Sequence, residues 1–314
     1  MRTKETSESV FEAINIPFDP YIFGGTTTAF SWHGFLTFVA VGTAIWMSGR
    51  AALMERLDQE QVYNTALWGV LGGIVGARIV HVLDNWAIYG DDPLSIFAVW
   101  NGGIGLWGGI LGGWIAGMIY AYFAKAPIGR FMDIAAAPLL VAQTIGRIGD
   151  IINGEHWSRP LDLFWGWYFT DIDSPARAVI DKYPEIFGTD VDRPVHPAVV
   201  YEMIANIIIL GVIFALKGRV RPAGSIFMIY LALYATARFG IQFVRLDDVK
   251  FWGLQEAHLI AILVWIVTIP WIIWKVRFSG RIGRPGRGRR VAETAPDRVT
   301  AGRSRRERRR ELAR

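Results

Sequence analysis

The stretch VYNTALWGVLGGIVGARIVHVL, residues 62–83, is an apolar run in which Arg78 and His81 are the only charged or imidazole side chains. At 1.5 Å per residue, a helix of about 20 residues crosses the ~30 Å hydrocarbon core of a membrane. Six further apolar segments of comparable length lie at 29–48, 97–123, 131–152, 197–216, 223–243 and 255–275. The sequence therefore predicts an all-α integral membrane protein with about seven transmembrane helices.

The composition of the 314-residue chain supports this class. Hydrophobic residues make up 52% of the chain and charged residues 19%, whereas soluble domains are about one quarter charged. Cysteine is absent, which excludes disulfides, thiolate metal sites and a cysteine nucleophile. No histidine has the HxxxH or HxxE spacing of a metal site on one helix, so we expect neither a metal nor another cofactor. Any reacting thiol must come from a substrate.

Three clusters of basic residues fall in alternate connectors between the predicted spans, and a fourth follows the seventh span: Arg50 and Arg56; Lys125 and Arg130; Lys217, Arg219 and Arg221; Lys275 and Arg277. Basic residues in short connectors mark the cytoplasmic side of a membrane. We therefore predict an external N-terminus and a cytoplasmic C-terminus. The predicted parts are an external segment 1–28, a transmembrane domain 29–275 and a basic tail 276–314. Loop 153–196 is then external, as a small packed cap or an amphipathic surface segment.

The C-terminal tail holds most of the excess positive charge. Residues 281–314 contain 13 Arg and four acidic residues, which leaves 20 basic and 24 acidic residues in the rest of the chain. A basic segment beside a membrane span favours a disordered cytoplasmic anchor on anionic lipid. We therefore expect anionic membrane lipid, and no nucleic acid, to be its partner.

Three arginines lie within predicted spans that all run from the inside to the outside. Arg78, Arg147 and Arg238 each lie in the outer half of their segment, where an unpaired charge is costly. Each alone could be paired or extend to the interface, but three at one depth indicate a site for an anionic head group. The planar guanidinium binds phosphate oxygens through paired hydrogen bonds. Nearby acids could pair with the arginines, orient them or act as a base: Asp84, Asp150 and Glu155.

All five histidines map to the outer half of the membrane or to its surface: His33, His81, His156, His196 and His258. Most are expected to be ordinary interface residues. One of them can supply general-base chemistry, because an unperturbed imidazole titrates near neutral pH.

The block Gly146-Arg147-Ile148-Gly149-Asp150-Ile151-Ile152-Asn153-Gly154-Glu155 resembles the signature of the bacterial prolipoprotein diacylglyceryl transferases, Gly-Arg-x-Gly-Asn-Phe-x-Asn-x-Glu. Further blocks resemble that family in the same order: Trp32-His33-Gly34, Gly76-Ala77-Arg78, Trp100-Asn101-Gly102-Gly103, His196-Pro197 with Tyr201 and Glu202, and Tyr234 with Arg238 and Arg245. The resemblance covers residues 18–275 and agrees with the predicted topology.

The resemblance implies a multi-pass enzyme of the bacterial cytoplasmic (inner) membrane. It would transfer the diacylglyceryl group of phosphatidylglycerol to the lipobox cysteine thiol of prolipoproteins and release glycerol 1-phosphate. The implied catalytic candidates are His33, Asp150, Glu155 and Arg238. The implied phospholipid-binding residues are Arg78, Arg147, Asn153, Gly154, Arg238 and Gln242. The implied site-lining residues are Trp107, His196, Tyr201 and Glu202.

Four positions depart from the family pattern. Trp107 stands where a histidine proposed as the base is common, and His33, Asp150 and Gln242 replace Tyr, Asn and Glu. The base could have moved to His33 or Asp150, or the family's histidine is not an essential base. Alternatively, this chain is a catalytically altered homologue that binds lipid or lipoprotein precursors. The arginines alone would also fit an anionic-solute transporter, but no inverted repeat is visible and the charges lie on one side of the membrane.

Overall fold

The computed structural model describes residues 13–23, 31–90, 93–98, 103, 105–154, 157–171, 174–188 and 193–279. Within these ranges the helices are α1 (Trp32–Met54), α2 (Gln59–Asp84), α3 (Trp86–Tyr89), α4 (Leu106–Phe123), α5 (Ile128–Asn153), α6 (Val179–Lys182), α7 (Pro184–Phe187), α8 (Ala198–Leu216), α9 (Ser225–Gln242) and α10 (Glu256–Lys275). The strands are β1 (Ile14–Ile16), β2 (Trp167–Phe169), β3 (Val220–Arg221), β4 (Val249–Phe251), β5 (Leu254–Gln255) and β6 (Arg277–Phe278).

Six helices in the described part of the chain are long and apolar enough to cross a membrane: α1, α2, α4, α5, α8 and α10. They confirm the predicted all-α integral membrane fold. The predicted span 223–243 forms α9, a helix of 18 residues that is not among these six. Arg238 and Gln242 lower its hydropathy. It nevertheless packs against α5, α8 and α10, around a core that includes Leu140, Ile213 and Tyr230.

The predicted third span, 97–123, begins later than expected. Its helix, α4, starts at Leu106, and residues 93–97 form a separate 3₁₀ turn. Gly103 adopts a left-handed conformation with φ of 78°, which ends any regular helix at that point. The prediction was therefore wrong by about nine residues, because the apolar composition of the glycine-rich stretch does not report its backbone conformation.

Glycine allows α2 and α4 to pack backbone against backbone. A Cβ atom added to Gly76 would lie 2.2 Å from the carbonyl oxygen of Gly108, and one added to Gly112 would lie 2.3 Å from that of Gly72. Small residues at four-residue spacing permit such an approach between membrane helices. These glycines therefore serve helix packing.

The predicted cytoplasmic connectors meet at one end of the bundle. Lys217 Nζ lies 3.2 Å from Glu55 Oε1, and Arg130 donates from Nη2 to the Glu55 carbonyl oxygen at 2.8 Å. Strand β3, between α8 and α9, pairs antiparallel with β6, which follows α10. This arrangement agrees with the predicted alternation of the helices, and the side of the membrane on which this end lies stays a prediction.

The described parts of loop 153–196 form a packed cap at the opposite end. Its strand β2 pairs in parallel with β1 of the N-terminal segment, and Trp167 and Phe169 are buried against Ile16 and Val199. A second cluster buries Phe187 against Leu246. Residues 14–16 of the N-terminal segment are therefore part of the cap, and the described part of the loop does not form the alternative, an amphipathic surface segment.

Candidate active site

The carboxylate of Glu202 lies where three helices meet. Glu202 stands in the first turns of α8 and its side chain is only 2% exposed. Its Oε2 contacts Arg147 Nη2 from α5, and its Oε1 contacts Arg238 Nη1 from α9. A buried carboxylate requires such partners, because an isolated charge away from water is costly. Glu202 therefore holds two of the three arginines singled out in the sequence side by side.

Arg147 is also bound to Asp150 on the same helix. Its Nη1 lies 2.6 Å from Asp150 Oδ2, as the i,i+3 spacing predicts. The other carboxylate oxygen of Asp150, Oδ1, lies 2.9 Å from Nδ1 of His33 on α1. A continuous chain of contacts therefore joins four helices through the side chains of His33, Asp150, Arg147, Glu202 and Arg238, which we call the charge network.

A glycine sets the distance between α1 and α5 at the charge network. A Cβ atom added to Gly149 would lie 3.0 Å from the Cα of His33 and 3.4 Å from the Cβ of Leu36. The start of α1 is fixed by Ser31, whose Oγ accepts a hydrogen bond from the Gly34 backbone N–H at 3.1 Å. The ring of His33, in the first turn of α1, is thereby placed against Asp150.

Exposure differs among the members of the charge network. The side chains of Arg147 and Arg238 are 18% and 20% exposed, whereas Asp150 is 6% exposed. His33 is 39% exposed although its Nδ1 atom is buried, so its exposed surface lies away from Asp150. An anion that reaches the network therefore meets guanidinium and imidazole groups, with the carboxylates behind them.

An apolar cavity of about 460 Å³ lies between α1, α2 and α5. It begins one helical turn from the charge network, at Thr37 on α1 and Gly146 on α5. It continues past Ala44 and Leu139 to Val62 near the opposite end of the bundle. Its length and lining suit a hydrocarbon chain.

Arg78 organises the connector that precedes α4. It donates three hydrogen bonds to backbone carbonyl oxygens: from Nε to Ile96 at 2.6 Å, from Nη2 to Ser95 at 2.7 Å and from Nη1 to Gly103 at 3.0 Å. Its guanidinium also lies 5.1 Å from the ring centre of Tyr89. The structure thus brings Arg147 and Arg238 together on Glu202, while Arg78 binds the connector.

Gln242 lies in a second polar cluster between α9 and α10. It is fully buried, donates from Nε2 to Asp247 Oδ2 at 2.6 Å, and contacts Gln255. Arg245 Nε lies 3.1 Å from the same Asp247 oxygen. Burial disfavours the Asp247 carboxylate, but the charge of Arg245 and its hydrogen bonds hold the pKa of Asp247 below its usual range. In this structure Gln242 anchors the α9–α10 connector.

The remaining expected site residues are Gly154, Asn153, Trp107 and Glu155. Gly154 ends α5 in a left-handed conformation, and a Cβ there would lie 2.3 Å from Ser174 Oγ, so the position requires glycine. Asn153, just before it, is 6% exposed. Trp107 is the second residue of α4 and is 36% exposed. Glu155 lies outside the described residues.

His196 and Tyr201 form a contact at the start of α8. The Tyr201 hydroxyl lies 3.2 Å from His196 Nδ1 and accepts a hydrogen bond from Trp165 Nε1 at 3.2 Å. Burial lowers the pKa of His196. The neutral form of this histidine is therefore favoured.

Sequence reasoning missed two residues that position the site. Gly149 lies inside the quoted signature block, but nothing in a single sequence reveals its contact with α1. Asp247 follows α9 in a polar connector. The only signal in the sequence was its position two residues after Arg245, with which it forms an ion pair.

Comparison with known proteins assigns the family. The family model for prolipoprotein diacylglyceryl transferase matches residues 20–274. The chain belongs to the prolipoprotein diacylglyceryl transferase family. The matched range includes every member of the charge network and, apart from the last residue of α10, all six membrane-spanning helices of the described chain.

Individual relatives of this family match the chain over most of its length. They include phosphatidylglycerol–prolipoprotein diacylglyceryl transferases from Thermosynechococcus vestitus (31% identity; 80% of this chain and 90% of the relative), Symbiobacterium thermophilum (31%; 80% and 91%) and Lactobacillus acidophilus (29%; 82% and 90%). The transferase family therefore accounts for the membrane domain as a whole.

Proposed function

We propose that this protein transfers the diacylglyceryl group of phosphatidylglycerol to the lipobox cysteine thiol of prolipoproteins and releases glycerol 1-phosphate. The observation that carries the proposal is the pairing of Arg147 and Arg238 on the buried carboxylate of Glu202. The relatives are named for the same donor, phosphatidylglycerol, and the same acceptor, prolipoprotein. The absence of cysteine from this chain agrees with a thiol that arrives on the acceptor.

The reaction is a displacement at the glyceryl carbon that carries the phosphate. Sulfur forms a bond to this carbon, the C–O bond breaks, and its electron pair leaves on the phosphate. Fixed guanidinium groups stabilise such developing charge in a site that excludes water. Arg147 and Arg238 would hold the phosphate, and the apolar cavity between α1, α2 and α5 would hold one acyl chain of the donor.

The other candidate residues would hold the helices and connectors around this site in place. Glu202 would keep both arginines in place, and Asn153 and Gly154 would shape the end of α5. Arg78 would order the connector before α4, and Gln242 would order the one after α9. Glu155 remains a catalytic candidate on the resemblance alone.

The proposed location is the bacterial cytoplasmic (inner) membrane, with the charge network in the outer half. This placement suits a lipid head group and an acceptor peptide that has been exported. The basic residues 281–314 would bind anionic lipid on the cytoplasmic side.

Complementation tests the proposal. A bacterial strain depleted of its own prolipoprotein diacylglyceryl transferase is given this protein, and growth and the mass of a reporter lipoprotein are measured. Restored growth with a diacylglyceryl-modified reporter supports the transferase. A protein that inserts into the membrane, binds phosphatidylglycerol and leaves the reporter unmodified would instead identify an altered homologue.

A further inference from the structure

The charge network distinguishes the two candidate bases, His33 and Asp150. Both oxygens of the Asp150 carboxylate are engaged, Oδ2 by Arg147 at 2.6 Å and Oδ1 by His33 at 2.9 Å. The side chain is 6% exposed, and it lies against a permanent cation. A carboxylate in this position is a poor proton acceptor for a thiol.

His33 has the opposite properties. Its Nδ1 edge is buried against Asp150, while the side chain as a whole is 39% exposed. A carboxylate oxygen 2.9 Å from Nδ1 favours the proton on that nitrogen, which leaves Nε2 as the basic atom of the neutral ring. The same carboxylate stabilises the imidazolium that forms when Nε2 takes a proton.

Charged groups on the helices around His33 fit this assignment. Helix α1 packs mainly against α5 and also against α2. From α5, Asp150 faces the ring directly and Arg147 lies behind that carboxylate. From α2, Arg78 donates its hydrogen bonds to the carbonyl groups of Ser95, Ile96 and Gly103.

We propose that Asp150 orients His33 so that Nε2 of His33 takes the proton of the acceptor thiol as the sulfur attacks the donor's glyceryl carbon. This inference rests on the proposed transferase function. The S–H proton moves to Nε2, the C–S bond forms, and the C–O bond to phosphate breaks with its electron pair. The imidazolium then returns the proton to the released phosphate, so that atoms and charge balance without a further reactant.

The two departures from the family pattern at His33 and Asp150 can be understood together as one joint replacement. His33 and Asp150 both depart from the family pattern to which the sequence is similar, and the structure places these two side chains in direct contact. The third departure, Trp107, carries no proton acceptor. In this chain His33 is the catalytic base and Asp150 is a positioning residue.

The test compares a thiol acceptor with a selenol acceptor. Purified full-length protein is reconstituted with phosphatidylglycerol and given a lipobox peptide that contains either cysteine or selenocysteine. A selenol is ionised at neutral pH and needs no base. For His33→Ala we expect the cysteine rate to fall by about 10²–10⁴-fold at neutral pH, and the selenocysteine rate to stay near that of the parent.

Asp150→Asn separates positioning of His33 from positioning of Arg147. The amide keeps the shape of the carboxylate beside Nδ1 but has no charge to stabilise the imidazolium. We expect a lower cysteine rate, an acidic limb of the pH–rate profile displaced to lower pH, and rescue by selenocysteine. If Asp150 served only Arg147, the variant would raise KM for phosphatidylglycerol, keep the pH profile and show no rescue.

His81→Gln is the matched control, because His81 contacts Tyr89 outside the charge network. Its ratio of selenocysteine to cysteine rates should equal that of the parent, even if its stability changes. An unchanged ratio in His33→Ala would overturn the assignment of the base. A parent protein that modifies neither peptide would instead contradict the proposed function.

Discussion

At the scale of single residues, the charge network brings guanidinium and carboxylate groups together inside a membrane helix bundle. Its positive and negative charges nearly cancel. Arg147 and Arg238 are balanced by Glu202 and Asp150. Removing one member of a buried pair leaves its partner uncompensated and costs about 3–5 kcal/mol. We propose that the partly exposed guanidinium groups of Arg147 and Arg238 bind the phosphate.

The geometry of the guanidinium is the property that the proposed phosphate site uses. Lysine keeps the charge but loses the planar fork with its paired donors. Arg147→Lys or Arg238→Lys should therefore lower kcat/KM for transfer at least about tenfold, since a lost contact to a charged group contributes roughly 1.5–3 kcal/mol.

Arg219→Lys provides the matched control for this measurement. Arg219 lies in the connector between α8 and α9, at the end of the bundle away from the charge network. It should retain the activity of the parent. Parental kcat/KM in both Arg147→Lys and Arg238→Lys would contradict the phosphate assignment.

At the scale of elements, the contact between α1 and α5 determines whether His33 reaches Asp150. Gly149→Ala places a methyl group 3.0 Å from the Cα of His33, so α1 must move away from α5. Overpacking of this kind costs about 1–3 kcal/mol. We expect a lower thermal unfolding temperature in detergent together with reduced transfer.

Gly146→Ala on the same helix is the control. Nothing lies within 4 Å of a Cβ added at Gly146. The substitution should leave the unfolding temperature unchanged or raise it, because alanine favours a helix interior over glycine by about 0.5–1 kcal/mol. Equal destabilisation by both substitutions would contradict the claim that the close approach of α1 to α5 at Gly149 causes the loss of stability.

The elements also show what a single sequence can and cannot predict. Apolar length located the six spanning helices of the described chain, and the sequence offered Asp150 as a partner for an arginine, which the pair with Arg147 agrees with. The contact of Asp150 with His33 depends on how α1 packs on α5, which periodicity does not encode. Gln242 likewise stands one turn after Arg238, yet it turns into a separate cluster with Asp247.

At the scale of the whole molecule, the two ends of the bundle differ in chemistry. One end gathers basic connectors around Glu55, and the other carries the charge network and the cap. Topology predicted from basic connectors places the network end outside. The absence of native cysteine makes this orientation directly measurable.

Single introduced cysteines can show on which side of the membrane each end of the helix bundle lies. Trp252 is 87% exposed on the β4–β5 hairpin at the network end, and Arg219 lies at the other end. In intact cells from which any outer membrane has been removed, Trp252→Cys should react with a membrane-impermeant thiol reagent, and Arg219→Cys should react only after permeabilisation. The reverse pattern would contradict the orientation and the external position of the site.

Direct transfer by the purified protein tests the central claim. Phosphatidylglycerol labelled in both its head group and its acyl chains is mixed with the reconstituted protein and a lipobox peptide, and the products are quantified together. The account predicts one acyl-labelled thioether peptide for each head-group-labelled glycerol phosphate released, with both products lost in Arg238→Ala. Unmodified peptide, or glycerol phosphate released without thioether formation, would contradict it.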